Sequence, residues 1–321
     1  MAKVYREEEI ERLVEGFNNL GSNMSAFLEV IKCGRIAVKP LVRLLLSPPS
    51  IFSEPRCLAA EALGMIGGKE AVEGLTQVLD LYDLELLDPQ VRLAEETVRN
   101  QAARQLAILG DEMAIEPLIR CLKGDHLIGA AEALATFREK RAMTYIVEML
   151  EDDYARETAG KALLKFGKDA VPSLVETLTR RKYTPSKNEA NSSIRRRVEA
   201  ARLLGEIGDP RAIQPLFKRL EDGEWEVRLY AALSILKIGA NKKDEVIRVI
   251  PEIITGLDGG DWYTRNLCIE ALSELNSVAL PYIESILNER NVENARGEKV
   301  YLSQSVIESL KGVIERLSKN G

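Results

Sequence analysis

Histidine occurs once in these 321 residues, as His126 in "KGDHLIGAAEAL". One histidine removes His-based metal clusters and makes a Ser–His or Cys–His catalytic pair improbable. His126 itself reads as a surface or interface residue at a helix start. Aromatic residues make up only 5% of the chain. A core must then come from Ala, Leu, Ile and Val, which favours closely packed helices over a β-sandwich. There is no CxxC: Cys33, Cys57, Cys121 and Cys268 lie far apart within helical patterns and read as small buried hydrophobes of a reducing compartment. No apolar run approaches the ~20 residues of a membrane span, and "MAKVYREEEIERLVEGF" has no secretory h-region. A cytoplasmic protein without membrane contact is expected. Excess positive charge is missing too. At a formal net charge of −6, nucleic acid finds no global attraction and is not the expected partner. GxxxxGK[ST] and GxGxxG loops are absent. The acid pairs Asp152/Asp153 and Glu95/Glu96 read as solvated faces. No catalytic, cofactor-binding or metal residue is expected.

What is present is one unit copied about eight times. In "DPRAIQPLFKRLEDGEWEVRLYAALSILKIG", residues 209–239, Ala212, Ile213, Leu216 and Leu220 form one helical face. Pro215 falls in the first turn, where a missing N–H costs nothing. "EDG" breaks the pattern, and Val227, Ala231, Ala232, Ile235 and Ile238 make a second amphipathic helix that stops at Gly239. The first-helix signature returns from "AVKPL" at 37 to "ALPYI" at 279, at intervals of 28 to 43 residues. The second recurs as "RCLAAEALGMIG" at 56, "RNQAARQLAILG" at 99, "RETAGKALLKFG" at 156 and "RVEAARLLGEIG" at 197. Paired small residues at its middle let neighbouring helices approach toward the lower end of the ~8–10 Å interaxial range.

These units resemble HEAT repeats of the short, Ala-rich type named after phycobilin lyases, V-R-x-x-A-A-x-A-L-G-x-I-G-D, carried here by "VRLYAALSILKIG" and "PRCLAAEALGMIGG". The resemblance spans roughly residues 34–320 and implies an all-α fold, an α-solenoid. Stacking buries faces that no unit buries alone, so one continuous solenoid over 34–321 is expected, with residues 1–33 as a helical cap. The last helix, expected at 302–318, is followed by Lys319 and carries Lys311 and Arg316, which suit its dipole.

Three features point to function. Arg56, Arg99, Arg156, Arg197, Arg228 and Arg265 each precede the central small pair, or its equivalent, by three residues. They form either a structural ladder, bonded to acids such as Asp222 and Asp261, or an anion-binding wall. Trp225 and Trp262 share a register three residues before Arg228 and Arg265. With Tyr230 and Tyr263 they are candidates for a binding ledge, since Trp and Arg are enriched at interface hot spots. Finally, three enlarged turns fall between first and second helices: 80–88, 181–193 and 289–300. The first offers Tyr82 and Leu84. The second holds Arg181, Lys182, Lys187, Arg195 and Arg196 in a stretch with one acid, Glu189. Its composition suits ordering on an acidic segment of a partner, and deletion of 183–192 is expected to leave stability nearly unchanged.

The expected function is therefore a non-enzymatic scaffold that binds another protein. The alternative implied by the repeat type is a bilin lyase or chromophore-handling protein, with a bilin held on the rings of Trp225, Trp262, Tyr230 and Tyr263.

Overall fold

A computed structural model describes residues 5–19, 21, 23–239, 243–275 and 279–320. The chain divides into two compact bodies. An N-terminal body comprises residues 1–149 with 154–166, and a C-terminal body comprises 150–153 with 167–321. Each is built from four successive helix pairs. In the N-terminal body the first helices are Val38–Leu45, Lys69–Leu79, Ile115–Asp125 and Met143–Glu148. The second helices are Glu54–Ile66, Pro89–Leu109, Ile128–Thr136 and Arg156–Phe166. In the C-terminal body the pairs are Val171–Thr177 with Asn191–Ile207, Ile213–Phe217 with Trp225–Ile238, Lys243–Gly259 with Trp262–Ser273, and Leu280–Glu289 with Gln304–Asn320. Within each body consecutive second helices pack side by side, which is the layering of an all-α solenoid. Two helices, Glu7–Glu15 and Asn23–Cys33, precede the first pair, and Phe17 and Phe27 close them together at 6.1 Å between ring centroids. No helix of the described residues is long and apolar enough to cross a membrane.

The small pairs sit where the pattern places them. Ala59 and Ala60, Ala102 and Ala103, Ala130 and Ala131, Ala200 and Ala201, and Ala231 and Ala232 are all buried. Packing is close at Gly205: a Cβ there would meet Ser234 Oγ at 2.6 Å and its Cα at 2.9 Å. The Ser234 hydroxyl crosses the same gap to donate to the Ala201 carbonyl at 2.7 Å. Gly110, Gly208 and Gly239 end second helices in the left-handed region, where a side chain is strained. The seventh first helix departs from the pattern. It starts at Lys243, so Pro251 lies inside it rather than in its first turn. At the other end the last helix extends to Asn320, and the side chain of Lys319 lies outside the described residues.

The enlarged turns are folded, and each is tied to a buried arginine. Part of the extra length goes into longer second helices, of 21 residues for Pro89–Leu109 and 17 for Asn191–Ile207. In the first turn Asp83 caps a short 3-10 turn, Leu84–Leu86, and the Tyr82 carbonyl accepts from Arg99. The second turn is a small hairpin: Tyr183 bridges Glu189, and the Ala190 N–H donates to the Lys182 carbonyl at 2.8 Å. The third contains the strands Asn291–Glu293 (β1) and Lys299–Tyr301 (β2), paired antiparallel.

Candidate functional site

The arginine column separates into interior and surface members. Arg56 donates from Nε to the Leu45 carbonyl at 2.7 Å and with both terminal nitrogens to Glu95. Glu95 is 0% exposed and also lies 3.8 Å from Arg99 Nε. The sequence expectation of a solvated Glu95 is therefore corrected: one carboxylate sits between two guanidiniums in the interior. Arg197, also 0% exposed, donates to both Glu189 oxygens at 2.9 and 2.7 Å and to Asp222 Oδ2 at 2.6 Å. Arg228 donates from Nε to Glu252 at 2.8 Å and to the Asp222 carbonyl at 2.8 Å. The other Glu252 oxygen accepts the Ala295 N–H, at 2.9 Å, from the turn between β1 and β2. Arg56, Arg99, Arg197 and Arg228 thus form a buried structural ladder. The acids differ from expectation, however. Asp222 serves the arginine of the preceding repeat, while Asp261 caps its own helix by accepting the Thr264 N–H at 2.8 Å.

Burial pushes the Asp222 carboxyl up. The hydrogen bond from Arg197, the Glu224 N–H, and the charges of Arg197 and Arg181 outweigh this, so the group titrates below the ordinary carboxylate range. Buried charges persist where they are paired and hydrogen-bonded in this way.

The hairpin of 181–193 is consequently part of the core's bonding and not a loose insertion. Ser193 is buried, accepts the Lys182 N–H at 3.0 Å and donates to Glu189 at 2.8 Å. Glu189 in turn holds Arg197. Deletion of 183–192 removes that carboxylate, so near-neutral stability is no longer expected. Three further cations of the stretch, although exposed, are paired within the chain. Arg181 reaches Asp222 at 3.0 Å, Lys182 reaches Glu151 at 2.8 Å, and Arg195 reaches Asp153 at 2.7 Å. Arg196 is buried against Glu151 at 2.5 Å and the Arg180 carbonyl. Lys187, exposed at the hairpin tip with φ 64°, shares the surface with the exposed Arg181, Lys182 and Arg195. Leu84, expected at a surface loop, is 3% exposed, and Tyr82 is half-buried. Arg228 and Arg196 are likewise withdrawn from any partner.

The aromatic candidates all lie in the C-terminal body. Trp225 and Trp262 are the first residues of their helices. The Trp225 ring lies over Gly259, whose Cβ, if present, would be 3.6–3.7 Å from ring atoms. Three residues later Trp262 is 78% exposed and Tyr263 64%. The Tyr230 hydroxyl is pushed up first by burial, then by its neighbours Tyr263, Asp261 and Glu199. Trp225 and Tyr230 thus belong to one second helix, and Trp262 and Tyr263 to the next. Arg265 lies half-buried and donates to Ser305 Oγ at 2.6 Å. Ser303 donates to Asp258 at 2.7 Å, which brings the start of the last helix to the same turn. Tyr301, two residues before Ser303 and 73% exposed, was not found from sequence. Its alternation with Lys299 on a three-residue strand is too short a signal.

Elsewhere, His126 ends the helix Ile115–Asp125 in the left-handed conformation and is exposed. Cys121 and Cys268 are buried, with thiols pushed up to about 12, first by burial. Cys33 and Cys57 are only half-buried, against expectation.

The comparisons with known proteins agree with this architecture. Residues 186–249 match the model of HEAT repeats, and residues 55–80 and 98–124 match that of the PBS lyase HEAT-like repeat. No curated protein matches the sequence. Among solved structures, the complex of CpcE and CpcF of phycocyanin lyase from Nostoc sp. PCC7120 is similar at 23% identity, TM-score 0.39, covering 78% of this chain and 94% of that one. The karyopherin Kap121p bound to the SUMO protease Ulp1p is similar at 14% identity, TM-score 0.57, covering 98% of this chain. The chain spans only 38% of that karyopherin. Kap121p bound to the extreme C-terminus of the protein phosphatase Cdc14p gives 13% identity, a TM-score of 0.50, and coverage of 97% and 42%.

Proposed function

We propose that this chain, parts of which match HEAT repeats and the PBS lyase HEAT-like repeat, is a scaffold whose C-terminal body binds another protein on the ledge of Trp225, Tyr230, Trp262 and Tyr263. The carrying observation is the exposure of Trp262 and Tyr263 side by side on a rigid helix start. Both residues belong in a core or an interface, and exposed Trp and Tyr dominate interface energetics. Helices stacked on a continuous core hold such anchors in place, so little ordering cost falls on binding. The solenoid likeness to a karyopherin that carries a SUMO protease supports a protein as the ligand class. An acidic segment, the partner expected from the 180–197 stretch, loses its main support because those cations are paired internally.

A photo-crosslinking amino acid placed at 262 or 263 in the native host tests the reading. Discrete adducts are expected there and not from a control position at Lys69. Equal labelling at all three positions removes the ledge as a binding site. A bilin-handling role, in keeping with the PBS lyase repeat match, would use the same ring faces. Co-expression with bilin would then yield a coloured complex that Trp262→Ala bleaches.

A further inference from the structure

The charge around the ledge specifies its occupant more narrowly than the rings do. The two tryptophan-bearing turns, 221–226 and 258–265, hold Glu221, Asp222, Glu224, Glu226, Asp258 and Asp261. Asp222 is buried and paired with Arg197. Among the described residues none of the other five makes an ion pair: Asp258 accepts a serine hydroxyl and Asp261 caps a helix. All five are at least partly exposed. The cations nearest in sequence offset them only in part: Lys218, three residues before Glu221, is exposed, and Arg219 reaches the buried Asp222 at 3.5 Å. Arg228 is buried on Glu252, and Arg265 keeps its charge against the neutral Ser305 hydroxyl. On the preceding second helix, Asn191–Ile207, Arg202 is occupied by both Glu199 and Glu206. Lys299 lies 5.9 Å over the Tyr301 ring, and Arg296 pairs with Glu298. The surface therefore combines exposed aromatic faces with a surplus of unpaired carboxylates.

Resting on the scaffold reading, we propose that this ledge binds an extended, lysine- or arginine-bearing segment of its partner. A cation over the face of Trp or Tyr is attracted by the ring quadrupole, and more strongly as it loses water. Neighbouring carboxylates add Coulomb attraction and speed encounter. The two tryptophans sit at equivalent places on consecutive second helices, which lie about 8–10 Å apart. A polyproline-II chain advances ~3.1 Å per residue with three residues per turn, so side chains three residues apart share a face and match the step between ledge positions. An acidic segment would face five like charges, only partly offset by Lys218 and Arg265.

Trp225 and Trp262 are the protein's only tryptophans, so their emission reports on the ledge alone. The test titrates the intact chain with a twelve-residue Lys-Gly-Ser repeat peptide and with its Glu-Gly-Ser counterpart, at low and physiological salt. A saturable emission change is expected with the lysine peptide, weakening at least several-fold with salt, and none with the glutamate peptide. Trp262→Ala should weaken lysine-peptide binding at least tenfold by calorimetry. Glu221→Gln/Glu224→Gln/Glu226→Gln, which leaves the rings in place, should weaken it about tenfold. Circular dichroism checks that each variant is folded. The proposal is overturned if the two peptides bind alike, if neither binds, or if either variant binds the lysine peptide as the parent does. Adducts at 262 combined with no lysine-peptide binding would reject the basic segment and keep the scaffold. Absence of adducts rejects the scaffold itself.

Discussion

The two bodies share one repeat but differ in how they hold buried charge and in what they expose. In the N-terminal body one fully buried carboxylate, Glu95, faces Arg56 and Arg99. In the C-terminal body the load is shared: Arg197 has Glu189 and Asp222, and Asp222 also receives Arg181. Outside, the N-terminal body shows mostly aliphatic and thioether side chains, among them Met24, Ile36, Met65, Ile108 and Met113, with two separate aromatics, Phe52 and Tyr154. The C-terminal body shows Tyr183, Trp262, Tyr263 and Tyr301. The repeat dictates the interior of both alike. Positions outside that pattern are free to diverge, and the aromatic ones make one body the better candidate for recognition.

The contrast in charge is the easiest to break. Glu95→Ala leaves Arg56 buried without its acid and Arg99 with Asp125 alone, and should destabilise the chain by about 3–5 kcal/mol in urea unfolding. Glu189→Ala leaves Arg197 its bond to Asp222, so a smaller loss is expected, about 1–3 kcal/mol. Deletion of 183–192 should reproduce the Glu189→Ala loss. An Arg197 that tolerates that deletion without cost would show the hairpin to be dispensable. Gly205→Ala tests packing instead: its Cβ would collide with Ser234, at a cost of about 1–3 kcal/mol.

Acid should weaken both bodies, since Glu139 and Glu157 in the N-terminal body are lowered too, first by their hydrogen bonds from Arg141 and Lys161. Asp209 is held down to about 2, first by the Arg211 hydrogen bond, and Asp222 is lowered as well. A depressed carboxylate contributes stability that is complete above its unfolded value, ~3.9, and disappears as pH falls through the folded value. The C-terminal body should therefore weaken between roughly pH 4 and 2. Asp209→Asn should flatten that fall when followed by circular dichroism. The smallest effect belongs to Lys187→Ala at the hairpin tip. Stability should stay within about 0.5 kcal/mol, and lysine-peptide binding at the ledge should not change.

Much of the fold was legible from local pattern. The apolar spacing, the alanine pairs at 59–60, 102–103, 200–201 and 231–232, and the glycine stops gave the helix pairs, because each reports on backbone and neighbour within one repeat. The ledge was half legible, since the shared register of Trp225 and Trp262 is a sequence fact. Glu95, Glu189 and Glu252 were not legible as buried acids. Their partners lie 39, 8 and 24 residues away, and no helical period connects them. The same limit applied to 180–197, where seven basic residues looked like a surface patch.

By itself, then, the sequence determined the repeat, its helical faces and the place of its turns, since short-range periodicity encodes which side chains leave water. Only the tertiary structure decided which charges are spent inside and which remain outside. That depends on the carboxylate each guanidinium meets across repeats. Arg197 and Arg228 meet theirs in the interior; Glu221, Glu224 and Glu226 meet no cation and face solvent beside Trp225.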